Sequence, residues 1–128
     1  MTAPDGSEVI LLVDDEPAMR ETTALMLRRL GYMVIDAAGP EDVLALPADV
    51  LEGVDALVTD VVMPGMNGGR LALKLRERRA DLRTIFISGY SPEQDVQDCL
   101  RNPATVFVAK PFTLAALSAA IRRTADLG

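Results

Sequence analysis

Val9-Ile10-Leu11-Leu12-Val13-Asp14-Asp15-Glu16-Pro17 joins an apolar run of strand length to a pair of carboxylates, then to a proline suited to the first turn of a helix. The plan recurs along the chain. Ala56-Leu57-Val58-Thr59 runs into Asp60, Thr84-Ile85-Phe86-Ile87 into Ser88, and Val106-Phe107-Val108-Ala109 into Lys110-Pro111, while Met33-Val34-Ile35 is a further run of the same kind. Short apolar runs alternating with longer helical stretches predict repeated βα units around a parallel sheet, and five such units fit. If the runs are neighbouring strands, three carboxylates, a hydroxyl and an ammonium meet at the carboxyl edge of the sheet, where open α/β folds bind their ligands.

The segments between the runs fit this scheme. A first helix follows Asp15, carries Leu25, Leu27 and Leu30, and ends at Gly31. Pro40 to Leu46 reads as a short helix that Pro47 breaks before Asp49-Val50-Leu51. Val61 to Gly69 reads as a loop, and Leu71-Ala72-Leu73 opens a third helix with an Arg-rich far side. Arg76, Arg78, Arg79 and Arg83 read as a solvated face, with kinase docking as the lesser reading. Ser91-Pro92-Glu93-Gln94 has the composition of a capped start for a fourth helix. Thr113 is the expected N-cap of a last helix that turns Leu114, Leu117, Ala120 and Ile121 to the core. Residues 1–7 read as a flexible leader and 8–128 as one domain.

Composition narrows the function. The chain has 128 residues, a 49% apolar share and a net charge of −6, which disfavours nucleic acid and anionic membrane as partners because both select positive surfaces. Cys99 is the single cysteine, so no internal disulfide forms, and it reads as a small core or boundary residue. No apolar span of membrane length is present, and the expected compartment is the cytoplasm, without membrane contact. Histidine is absent, which removes imidazole ligands, imidazole bases and Ser-His-Asp triads. Chemistry here runs on carboxylates, hydroxyls and amines.

Asp14, Asp15 and Asp60 form a hard, oxygen-rich set that suits Mg²⁺, or Mn²⁺ in its place, because a divalent cation relieves the mutual repulsion of crowded carboxylates. Taken alone, Asp14-Asp15 equally reads as a helix cap, Asp60 as a turn residue and Lys110 as a solvated lysine. A carboxylate on a strand end beside a metal can attack phosphorus and form an acyl phosphate. Lys110 and Ser88 would share the charge on the phosphoryl oxygens. Lys110 is one of two lysines beside eleven arginines, and a cis Lys110-Pro111 bond would aim it back into the site.

Asp14-Asp15, Asp60 with Met63-Pro64 and Gly68, Ser88-Gly89 and Lys110-Pro111-Phe112 together resemble the response-regulator receiver domain, the phosphoacceptor module of two-component systems, over residues 8 to 124. The resemblance implies a flavodoxin-like doubly wound fold with five helices and a parallel sheet of order 2-1-3-4-5. It implies Asp60 as phosphoacceptor, and Asp14, Asp15, Asp60 and the Val62 backbone carbonyl as metal ligands. Ser88 resembles the switch hydroxyl, Lys110 the phosphate-binding lysine and Phe107 the switch aromatic. The module is a switch that assists its own phosphorylation and dephosphorylation rather than an enzyme acting on a separate substrate. Its donor would be a histidine kinase or phosphohistidine transfer protein. Its output would be an unknown downstream protein or a homodimer, through the fourth helix, fifth strand and fifth helix.

Two positions depart from many relatives: Val62 is apolar two residues after the acceptor, and Tyr90 stands two after Ser88, which together predict slow loss of the phosphoryl group. No output domain follows the last helix, so a stand-alone regulator or the C-terminal receiver of a hybrid sensor histidine kinase is expected, the latter slightly favoured by Ser88-Gly89-Tyr90-Ser91 and Ala109-Lys110-Pro111-Phe112-Thr113-Leu114. A haloacid-dehalogenase-type phosphohydrolase would carry a second Asp two residues after its nucleophile, and that position after Asp14 is Glu16. A receiver-like binding module that is never phosphorylated is the remaining alternative.

Overall fold

The computed structural model describes residues 8–89 and 104–127, so the leader, Tyr90, the expected fourth helix from Ser91 and Cys99 lie outside the described residues. The elements in chain order are β1 (Val9–Val13), α1 (Pro17–Arg29), β2 (Met33–Ala37), α2 (Pro40–Leu44), α3 (Ala48–Glu52), β3 (Ala56–Asp60), α4 (Gly68–Arg76), β4 (Arg83–Ser88), β5 (Thr105–Ala109) and α5 (Leu114–Leu127). Segment 40–52 holds two short helices separated at Pro47, so α4 is the helix expected third. The strands form one sheet of order β2-β1-β3-β4-β5, every pair parallel, as the resemblance implies.

Side chains alternate across this sheet and build two apolar layers, because successive strand residues point to opposite faces. Leu11, Val13, Leu57 and Phe86 pack with Val43 of α2, Leu51 of α3 and Leu71 of α4. Ile10, Leu12, Val58 and Ile85 pack with Leu27 of α1 and Leu117 of α5. The central strands are covered on both faces, which is why they read as unbroken apolar runs. The edge strand β2 is half exposed instead, with Asp36 paired to Arg20 of α1 at 3.4 Å.

Local chemistry sets the helix ends. Gly31 takes φ 99°, its N–H donates to Arg28 and the Tyr32 N–H donates back to Leu27 O at 3.2 Å, the paired bonds of a Schellman ending. The Thr113 hydroxyl accepts from the Ala116 N–H at 3.0 Å, as its expected capping role requires. Helix α4 starts at Gly68, three residues earlier than its apolar pattern suggests, because the Asn67 side chain caps it by accepting from the Arg70 N–H at 2.8 Å. Two glycines in the first turn hide that start, since glycine is a poor helix former. Leu117, Ala120 and Ile121 are buried, but Leu114, in the first turn of its helix, and Leu25, within α1, are exposed.

The arginine cluster is not a solvated face. Arg76 donates to the hydroxyls of Thr84 and Thr105. Arg79 reaches the carbonyls of Leu51 and Glu52 in the last turn of α3 and of Val54 just beyond it. Arg83 donates to Thr124 Oγ1 and Ile121 O of α5, each at 3.2 Å. Only Arg78 of the four is exposed. Guanidinium groups suit this work because five fixed donors satisfy several acceptors at once. Arg79→Ala is therefore expected to lower stability in urea titration by about 1–3 kcal/mol, and Arg78→Ala by less than about 0.5 kcal/mol. Equal effects would return the cluster to the role of a solvated face.

Candidate functional site

The strand ladder assembles the site. Val13 is in register with Thr59, so Asp14 and Asp15 leave β1 beside Asp60 at the end of β3. One carboxylate oxygen from each of Asp14, Asp15 and Asp60 lies within 4.8 Å of the others. Asp14 is buried and tightly held: its N–H donates to Ala37 O, its Oδ1 accepts from the Glu16 N–H at 2.9 Å, and its carbonyl accepts from Arg20 Nη1 at 2.9 Å. Burial raises its pKa above the ordinary carboxylate value against the pull of the Glu16 hydrogen bond, and the Asp60 and Asp15 charges push it the same way. Asp15 is exposed and Asp60 half-buried. A cavity of about 550 Å³ opens beside Asp15, between Pro40 and Glu41 on one side and Pro64 and Met66 on the other. All-oxygen donors, crowded like charges and solvent access fit a hard divalent cation.

The opposite wall is built by β4 and β5. Ser88 is buried and in register with Ala109, and its carbonyl accepts from the Lys110 N–H at 2.9 Å. The Lys110-Pro111 bond is cis, the isomer that the sequence left open. The Lys110 ammonium donates to Asp60 Oδ2 at 3.0 Å, with only 12% of the Asp60 side chain exposed. Phe107, three residues back on β5, is half-buried against the layer that includes Phe86 and Leu71. Val62 presents an apolar side chain that is 49% exposed.

Two further residues shape the backbone at Asp60. The buried Thr59 hydroxyl donates to the Asp60 carbonyl at 2.9 Å. Gly68 lies so close that a Cβ there would stand 2.1 Å from the same oxygen, so no other residue fits without moving β3 or α4. Thr59 was not among the residues singled out from the sequence, although it is the one polar member of its run.

The model of the response regulator receiver domain matches residues 10–122. The chain belongs to that family. It is 35% identical over 117 residues to the sensor kinase CckA of Brucella abortus (strain 2308), a match that covers 91% of this chain and 12% of the kinase. The crystal structure of the receiver domain from the hybrid histidine kinase CckA superposes with a TM-score of 0.70 at 32% identity, covering 91% of this chain and 97% of that one. The response regulator TrrA from Thermotoga maritima, crystallised in complex with Mg²⁺-BeF, gives a TM-score of 0.74 at 28% identity, covering 91% and 98%. This receiver is thus a module of two-component systems, a family of phosphoacceptor switches whose acidic pocket binds Mg²⁺. The family match sets the phosphohydrolase alternative aside. Among the described residues, no helix is long and apolar enough to cross a membrane.

Gly68→Ala should cost about 1–3 kcal/mol through overpacking, whereas Gly39→Ala, with open space around the added methyl, should cost less than about 0.5 kcal/mol. Denaturant titration of both variants checks the difference, and equal costs would deny the close approach. Asp14→Asn keeps the Glu16 hydrogen bond and removes a buried charge beside two others, so it should raise the melting temperature of the metal-free receiver. A fall in melting temperature would show that the ionised carboxylate is net stabilising.

Proposed function

We propose that this receiver takes a phosphoryl group onto Asp60 from a phosphohistidine donor, with Mg²⁺ or Mn²⁺ at Asp14, Asp15, Asp60 and the Val62 carbonyl. The observation that carries the reading is the meeting of three carboxylates within 4.8 Å with an ammonium 3.0 Å from Asp60 Oδ2. When bound, the cation offsets the charge of the carboxylates and of the phosphoryl oxygens. An Asp60 oxygen bonds to phosphorus while the P–N bond breaks, and the bonding pair leaves on the donor's imidazole nitrogen. Lys110, already on Asp60, follows the charge onto a phosphoryl oxygen, and the Ser88 hydroxyl moves toward another. The chain has no histidine, so the donor is a separate kinase or transfer protein, or another domain.

The added charge of roughly −1.5 to −2 draws Ser88 and Lys110 inward, and Phe107 follows the space that Ser88 leaves. Output is then a change of binding at the family's fourth helix, β5 and α5, to a downstream protein or a second copy. The likeness to the CckA receiver supports an origin in a hybrid sensor histidine kinase. A cytoplasmic setting accords with a phosphohistidine donor.

Incubation with a small-molecule phosphodonor and Mg²⁺, followed by mapping of the acyl phosphate, tests the reading. Label is expected on Asp60 and is lost in Asp60→Asn and on chelation; label on Asp14, or none, overturns the assignment. The apolar Val62 side chain cannot orient an attacking water, so the phosphorylated receiver should lose its label slowly. A lifetime of seconds in the purified protein would contradict that account.

A further inference from the structure

Between the Asp60 carboxylate and the Val62 carbonyl lie two peptide groups, and both are held by bonds from separate elements. The Thr59 hydroxyl donates to the Asp60 carbonyl at 2.9 Å, and Gly68 closes the far side of that oxygen. The Val61 N–H donates to Ile87 O of β4 at 3.1 Å, while the Val61 carbonyl accepts from the Gly68 N–H at the start of α4 at 2.7 Å. Val61 itself is 1% exposed and Thr59 is 0% exposed. A fully buried hydroxyl in an otherwise apolar strand is costly unless bonded, and valine would occupy the same volume without it. The bond that satisfies this hydroxyl goes to the carbonyl of Asp60.

We propose that Thr59 is a positioning residue for cation binding and phosphoryl acceptance. Its hydroxyl fixes the Asp60 carbonyl, and with it the angle at which the Asp60 carboxylate and the Val62 carbonyl face the same cation. This rests on the reading of Asp60 and Val62 as ligands. Supports of this kind around metal ligands are worth about 10- to 100-fold in affinity or rate. Thr59 touches neither the cation nor the phosphoryl group, so it acts only through Asp60.

The test compares Thr59→Val with Thr59→Ser in the whole chain, by calorimetric titration with Mg²⁺ and by amide exchange at Gly68. Thr59→Val should weaken Mg²⁺ binding by about 10-fold or more, slow phosphoryl uptake and speed exchange at Gly68, whereas Thr59→Ser should restore all three. Wild-type behaviour in Thr59→Val overturns the proposal, and so does equal impairment in Thr59→Ser, which would mark the methyl group's packing as the cause. Should Thr59→Val not fold, Thr59→Ala against Thr59→Ser gives the same comparison with the same outcomes. Failure of wild type to label Asp60 would sink the acceptor reading alone, because the Mg²⁺ titration needs no phosphoryl group. A labelled wild type with an unaffected Thr59→Val would sink the positioning role alone.

Discussion

Parallel register is the constraint on which the site depends. Val13 pairs with Thr59, Asp60 with Ile87 and Ser88 with Ala109, so the carboxyl ends of four adjacent strands finish almost level. Asp14, Asp60, Ser88 and Lys110 come from distant parts of the chain and meet only because of that ladder. What fixes the ladder is apolar burial: Leu57 and Val58 point to opposite faces and both are fully buried. A slip of one residue would send every side chain of β3 to the wrong layer, so the core that surrounds the sheet also sets the aim of Asp60.

Charge at this edge is deliberately unbalanced. Three carboxylates face one ammonium, and the most buried of them, Asp14, is pushed toward its neutral form chiefly by desolvation. Hydrogen bonds to Glu16 and Arg20 hold Asp14 in place despite that cost, which suits a group meant to meet a cation. Lys110 spends its charge on Asp60 in the present state, and a phosphoryl group on Asp60 would offer it a stronger acceptor.

The strand ends were legible in the sequence because each apolar run stops at a polar residue, and in a doubly wound sheet that edge is where ligands bind. The break at Pro47 was legible for the same local reason, a missing N–H. The start of α4 was not, because Gly68 is chosen by the nearness of the Asp60 carbonyl, a contact between residues eight apart that propensity cannot register. Arg76, Arg79 and Arg83 misled for a related reason. Their acceptors are carbonyls and hydroxyls on other elements, and no periodicity within the helix points to them. Thr59 stood in plain view as a polar end to an apolar run, but its partner is a backbone atom and leaves no mark in composition.

Those arginines bear on function through where they sit. Arg76 binds Thr84 and Thr105 at the amino ends of β4 and β5, Arg83 ties the start of β4 to α5 and lies 3.8 Å from Glu8, and Asp55 exchanges two hydrogen bonds with Val9 at the starts of β1 and β3. The amino edge of the sheet is cross-tied along most of its width. At the carboxyl edge the described ties gather at the end of β3, where Asp60 accepts from Lys110 and Val61 donates to Ile87 O, beside the ladder bond from the Lys110 N–H to Ser88 O. Under the proposed reading of Asp60, a sheet so tied at its amino edge would meet a change of charge on Asp60 by movement at Ser88 and Lys110 rather than by sliding of whole strands.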